Sequence, residues 1–255
     1  MSRNIFLEIA YDGSEFNGWQ LQENGRSVQG ELETALARLH DRRRVVVYGA
    51  GRTDSGVHAR GQCANFETDH RSIPPKKFRE AINSHLPPDV RVRRSVEVPA
   101  AFHARHSATE REYRYYLLPG EIVLPHQRRY CVRLKRNADL RGWNRMAAAL
   151  CGEHDFTSFA SPSESADHHV RRVYSAAFYP EREYIVFRIS ANAFLWKMVR
   201  SIVGTIIGMG TGDVDSFVEI LHARDRSRAG TTAPARGLFL HHIRYGESIH
   251  GERSV

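Results

Sequence analysis

The stretch Gly49-Ala50-Gly51-Arg52-Thr53-Asp54-Ser55-Gly56-Val57-His58-Ala59 lies between the apolar run Val45-Val46-Val47 and the alternating segment Gln62 to Glu67. Strand, long turn, strand is the local structure this order predicts. Glycines at 49, 51 and 56 permit positive φ and let another molecule approach the main chain closely. Arg52, two residues from Asp54, favours an ionised acid by charge pairing. One carboxylate and one guanidinium in a loosened backbone suit the presentation of a nucleophile or base. The same spacing equally suits a glycine-rich hairpin tip whose Arg and Asp satisfy one another, and the residues alone leave both open.

Outward from this turn, the pattern extends in both directions. Upstream, Ile5, Leu7 and Ile9 alternate as a half-buried strand, and Val28, Leu32, Leu36 and Leu39 fall on one helical face behind an N-cap at Ser27. Arg44 to Tyr48 and Gln62 to Glu67 are the two strands around the turn. Downstream, Pro75 opens a helix carrying Phe78, Ile82 and Leu86, and Val90 to Val98 alternates again. The order β-α-β-β-α-β is the ferredoxin-like, or RNP-like, arrangement. After Pro99 the pattern restarts: Arg111 to Leu118 and Arg128 to Leu134 extended, a helix over Asp139 to Leu150, and strands over His169 to Tyr179 and Glu183 to Ser190 separated by Pro180. A helix from about Leu195, another through Phe217 to Leu221 and a strand Leu238 to Tyr245 complete a second unit. The expectation is an α+β chain of two ferredoxin-like halves with antiparallel sheets, residues 1–105 carrying the Asp54 turn and residues 106–255 forming the second domain. Ser161 to Asp167 is the best flexible-loop candidate.

With 255 residues the chain can bury a sizeable core. Lys and Arg number 37 against 29 Asp and Glu, a formal charge of +8, and the pI is near 9.7. That balance favours a polyanionic partner, although a basic soluble surface would look the same. Cys63, Cys131 and Cys151 are too few and scattered for a disulfide framework or a zinc knuckle, which points to a reducing cytoplasm. Asp12 and Glu15 interrupt the opening apolar segment, against a secretory signal. Phe194 to Met209, broken by Lys197, Arg200 and Ser201, is short for a bilayer span and predicts a core helix. Gly208-Met209-Gly210-Thr211-Gly212 lacks the third glycine of a dinucleotide fingerprint, and no Walker loop, HExxH or paired CxxC occurs. No metal or cofactor is expected.

Gly51 to Ala59 resembles the signature of the TruA family of tRNA pseudouridine synthases. Tyr11-Asp12-Gly13-Ser14 with Phe16, Gly18-Trp19-Gln20 and Ser27-Val28-Gln29-Gly30 is similar to that family's opening motif. Phe102-His103-Ala104-Arg105, Tyr113-Arg114-Tyr115, Asp155-Phe156-Thr157-Ser158-Phe159, Asn192-Ala193-Phe194 with Met198-Val199-Arg200, and Gly237-Leu238 recur in family order, from about residue 5 to residue 244. The resemblance implies a pseudouridine synthase fold with a central basic cleft, a catalytic Asp54, and substrate contacts from Tyr113, Arg52, Arg200 and Leu238. Tyr115 and Tyr116 are left to the sheet core. It further implies a homodimer acting on the anticodon arm of tRNA, at uridines 38, 39 and 40, without cofactor. Trp196-Lys197 depart from the family pattern, where histidines are common, and Ser201 replaces a common Asn. Moving uracil from N1 to C5 needs one carboxylate and no water, unlike glycoside hydrolysis. Asp54 would attack C1′, add to C6, or remove the C2′ proton. The base must leave its stack and meet a flat partner, for which Tyr113 is the ring expected. A pseudouridine synthase with another RNA target and a non-catalytic RNA-binding protein are the alternatives.

Overall fold

The computed structural model describes residues 2–120, 122–135, 138–211 and 213–246. The chain divides into two compact units, Met1–Thr109 with Leu240–Val255, and Glu110–Phe239. Each is α+β with a largely antiparallel sheet.

In the first unit β1 (Arg3–Tyr11), α1 (Val28–Leu39), β2 (Tyr48–Gly49), β3 (His58–Thr68), α2 (Phe78–Asn83) and β4 (Val90–Val98) follow in the expected order. The sheet runs β4-β1-β3, with β2 on β3, and β10 (Leu238–Tyr245), the last strand among the described residues, also adjoins β3. Ile5, Leu7 and Ile9 are fully buried against the helix layer of Leu32, Leu36, Phe78 and Ile82, and Phe66 meets Phe78 edge-on with ring centroids 5.4 Å apart. Phe6, on the opposite sheet face, is covered by Phe102 and Tyr245. Buried Asn4 and Asn65 then do polar work on that face: Asn4 Nδ2 donates to the Phe102 carbonyl at 2.8 Å, and Asn65 Oδ1 accepts the Ala104 amide at 2.8 Å. Ser27 caps α1 by accepting the Gly30 amide, as its position predicts.

The strand expected over Arg44 to Tyr48 is shorter than the alternation suggests. Val45 and Val47 are buried and Val46 exposed, yet only Tyr48–Gly49 pairs with β3. The reason lies in α1. Its buried Glu33 accepts the Val47 amide at 3.3 Å and Gln29 Nε2 donates to the Val47 carbonyl at 3.2 Å, so side chains take the bonds a neighbouring strand would have taken.

The second unit contains β5 (Ala108–Pro119), whose first two residues belong to the first unit, β6 (Val132–Leu134), α3 (Leu140–Ala148), β7 (Gly152–Asp155), β8 (Val170–Glu181), β9 (Tyr184–Ala191), α4 (Met198–Met209) and α5 (Val214–His222). Its sheet order is β5-β9-β8-β7, with β6 parallel to β5. Tyr115, Phe187, Ile189 and Phe178 fill the core, and Trp143 on α3 donates its indole N–H to the Gly210 carbonyl at 3.0 Å. Two expectations fail here. Arg128 to Tyr130 form a turn, through Arg128 N–H to Leu124 O and Tyr130 N–H to Gln127 O, and only Val132–Leu134 pairs. Pro180 does not separate β8 from β9. It pairs with Ile185 inside the ladder, and the chain reverses beyond it, where Arg182 takes φ 57°. Among the described residues β7 pairs with β8 only from Val170 to Val173, so Pro180 stands where a missing N–H costs no second ladder bond.

Candidate active site

The Asp54 loop is held in the first unit by the segment that opens the chain. Ala50 N–H donates to Cys63 O at 2.8 Å, and Gln62 Nε2 donates to Gly51 O at 2.9 Å, which fixes the loop's start to β3. Buried Thr53 is gripped twice: its carbonyl accepts the Trp19 amide at 3.1 Å, and its hydroxyl shares a 2.8 Å hydrogen bond with Tyr11. Beyond the acid, Ser55 Oγ and the Gly56 amide both donate to Phe16 O, and the Val57 amide closes a tight turn on Asp54 O at 3.1 Å. Asp54 is half-buried, with Thr53 and Val57 buried on either side, and Arg52 is exposed. Asp54 therefore sits on a backbone tied on both sides.

Three glycines explain why the opening motif fits so closely. A Cβ on Gly13 would stand 2.0 Å from Val57 O, and one on Gly18, at φ +96°, would stand 2.5 Å from Thr53 O. A Cβ on Gly49 would enter the Trp19 ring at 2.5 Å. Only Gly56 among the loop glycines has positive φ, at 75°. Gly49 is required by packing, and nothing lies within 4 Å of a Cβ on Gly51. His58, fully buried, accepts the Gly13 amide at Nδ1 at 3.0 Å, so this motif residue at the head of β3 ties the strand back to the frame.

Burial pushes the Tyr11 phenol well above its usual range, with hydrogen bonds from Thr53 and Gln62 opposing. Burial does the same to Tyr115. A phenol whose folded pKa is raised contributes stability that is intact below the unfolded value near pH 10 and is lost as the pH climbs towards the folded value. Chemical denaturation is therefore expected to show stability falling above about pH 10, and less steeply in Tyr11→Phe. That variant should also lose about 1 kcal/mol at neutral pH, because Thr53 keeps a buried hydroxyl without its partner. An unchanged alkaline slope would show that Tyr11 does not titrate with unfolding.

In the second unit Tyr113 lies on β5 opposite Ile189, nine-tenths buried, with Phe194 packed edge-on at 5.1 Å between centroids. Tyr115 and Tyr116 are core residues, Tyr115 donating its hydroxyl to Pro234 O at 2.8 Å. Half-buried Arg200 on α4 donates Nε to Ala233 O at 2.8 Å, and the Ala233 amide returns a bond to Arg200 O at 3.0 Å. Gly204, one turn below, lets the segment after Gly230 in, since a Cβ there would stand 1.8 Å from Thr231 O. Leu238 is buried at the start of β10. Asp54 and Arg52 thus belong to one unit and Tyr113, Arg200 and Leu238 to the other. His169 is occupied with Thr157 through a 2.8 Å bond, and among the described residues no group of three or more His, Cys, Asp or Glu is placed to hold a metal ion. The three cysteines are free thiols. No helix among the described residues is long and apolar enough to cross a membrane.

Residues missed in the sequence are those that hold others. Glu112, a buried residue of β5, receives Arg114 Nε at 3.0 Å and Arg188 Nε at 2.9 Å, and Arg26 binds Asp89 with both terminal nitrogens while lying over Phe16. A carboxylate next to a predicted strand tyrosine carries no local sign of such pairing.

An antiparallel α+β chain offering one carboxylate from a glycine-framed loop matches a defined family. The family model described as tRNA pseudouridine synthase covers residues 9–107 and 146–246. The chain is 44% identical over 255 residues to the tRNA pseudouridine synthase A of Treponema denticola, covering 97% of this chain and 94% of that protein. It is 43% identical to that of Anoxybacillus flavithermus, at 95% and 99% coverage, and 41% identical to that of Geobacter sp. strain M21, at 96% and 100%. The chain belongs to the tRNA pseudouridine synthase family, a family of isomerases.

Proposed function

We propose that this protein isomerises uridines 38, 39 and 40 in the anticodon arm of tRNA to pseudouridine, with Asp54 as nucleophile or base. The observation that carries this is the Asp54 carboxylate itself, half-buried on a loop clamped on both sides, through Thr53 and through Ser55 and Gly56, to the opening motif. The bond from C1′ to N1 breaks, the uracil turns, C5 bonds to C1′, and the C5 proton is lost while N1 gains one. Atoms balance without water or redox partner. A single carboxylate serves by attack at C1′, by addition at C6, or by taking the C2′ proton. The uridine is flipped from the stack onto Tyr113, with Arg52 and Arg200 as cationic contacts to the nucleotide and Leu238 as apolar wall. A formal charge of +8 supports a polyanionic substrate, and the acting form we infer is a cytoplasmic homodimer.

The test is to incubate purified protein with an unmodified tRNA transcript bearing uridine at all three positions and map the pseudouridine formed. Product at those positions, and none when they are cytidine, is expected. Product only elsewhere would assign another RNA target, and none in any tRNA would contradict the reading.

A further inference from the structure

Trp196 is the feature the reaction leaves unexplained. The other two tryptophans, Trp19 and Trp143, are 2% and 1% exposed, whereas Trp196 is 43% exposed. Its surroundings are nevertheless built. Glu164 accepts the Trp196 amide, and also the Ser165 and Ala166 amides at 2.8 and 3.0 Å, while the Trp196 carbonyl accepts the Ser161 amide at 2.9 Å. The loop expected to be flexible, Ser161 to Asp167, is thus tied to the residue that carries the open indole. Backbone amides hold the Glu164 carboxyl below the usual carboxylate range against the opposing effect of burial.

Lys197 follows in the left-handed conformation, φ 63°, rare for a residue with a side chain, and its Nζ lies 4.7 Å from the Trp196 ring centroid. Such an outlier, kept in place at the head of α4, is the kind found where a side chain must be aimed. Two residues before Trp196, the Phe194 ring packs on Tyr113. Next to them, Arg111 Nη1 donates to Asn192 O at 2.6 Å and the exposed Arg172 gives its amide to Asn192 Oδ1 at 2.9 Å. An open flat ring, an ammonium on it and two arginines of β5 and β8 bonded to the nearby Asn192 have the chemistry of a single-stranded nucleic acid platform, in which a base stacks and cations meet phosphate.

We propose that Trp196 with Lys197 stacks an unpaired base of the substrate RNA next to the uridine held at Tyr113. This rests on the tRNA reading above and adds a positioning residue to it. Trp196→Ala is expected to weaken binding of an unmodified tRNA transcript about tenfold, and Trp196→Phe, which keeps a ring, by less. Both should melt near the parent protein and sediment with the same mass, since nearly half of the residue's surface is open to solvent. The more direct readout is emission: titration with the transcript should quench the protein's fluorescence, and the quench should vanish in Trp196→Phe, where only the buried indoles remain.

Equal tRNA affinity in Trp196→Ala, or an undiminished quench in Trp196→Phe, would overturn the proposal. A changed mass in Trp196→Ala would do so too, by assigning the ring to contact between copies of this chain. The two readings fail separately. If the parent isomerises tRNA while its Trp196 emission ignores it, the platform alone is wrong, and if the parent neither binds nor isomerises tRNA, both are.

Discussion

Gly18→Ala should lower turnover about a hundredfold, because it displaces the acid without touching it. A methyl group at Gly18 falls 2.5 Å from Thr53 O, 3.2 Å from the Asp54 carbonyl carbon and 3.3 Å from Ser55 N, all backbone atoms with no rotamer to escape into. The φ of +96° adds strain that no L side chain relieves there. To make room, the loop must retreat from Trp19, and the bond from Trp19 N–H to Thr53 O goes with it. A shift of about 1 Å in a reacting group is enough for that loss of rate, and overpacking of this kind costs about 1–3 kcal/mol of stability. Gly51→Ala is the matched control. It lies three residues before Asp54, has no unusual φ and meets nothing within 4 Å, so its melting temperature should stay near the parent's. Single-turnover pseudouridine formation and thermal melts on the two variants make the comparison. If Gly18→Ala melts and turns over like the parent, the opening motif does not hold the acid.

Local pattern is written in the sequence, whereas contact between distant segments is not. The elements were legible wherever apolar periodicity coincided with a turn signal: α1 behind Ser27, β4 over Val90–Val98 and β10 over Leu238–Tyr245 stand where alternation and capping place them. Failures occurred where a distant side chain took over a local pattern. Val45 to Val47 alternate like a strand, but Glu33 and Gln29 hold the Val47 backbone. At the site, the type of residue was legible and its reason was not. The glycines of the Asp54 loop suggested positive φ, yet Gly49 is small because of Trp19, thirty residues earlier in the chain, and only Gly56 uses the left-handed region. Close approach between segments far apart in sequence leaves no mark on either one alone. The opening motif was visible only as a resemblance, and its physical meaning, a brace for Thr53 and Gly56 built from Tyr11, Gly13, Phe16, Gly18 and Trp19, needed coordinates. β7 over Gly152–Asp155 has no apolar alternation and was missed for that reason.

The largest effect expected of any substitution is that of Asp54→Asn. The amide has the shape of the acid, and the loop around it is held by backbone groups, Thr53, Ser55 and Phe16, so fold and stability should remain. Affinity for tRNA should change little, because phosphate contacts dominate nucleic-acid affinity and the basic excess behind the formal charge of +8 does not depend on one carboxylate. Chemistry should stop. An amide neither attacks carbon at a useful rate nor accepts the proton, whichever of the three routes applies, so a loss of at least about a thousandfold is expected from removing the one nucleophile or base. The deciding measurement is the amount of pseudouridine formed in a single turnover, with Asp54→Asn in excess over a tRNA transcript it demonstrably binds. The account predicts bound tRNA and no pseudouridine above the protein-free control. Pseudouridine formed at a rate within about tenfold of the parent would place the chemistry on another group, since amide and carboxylate differ far more than that as nucleophile or base.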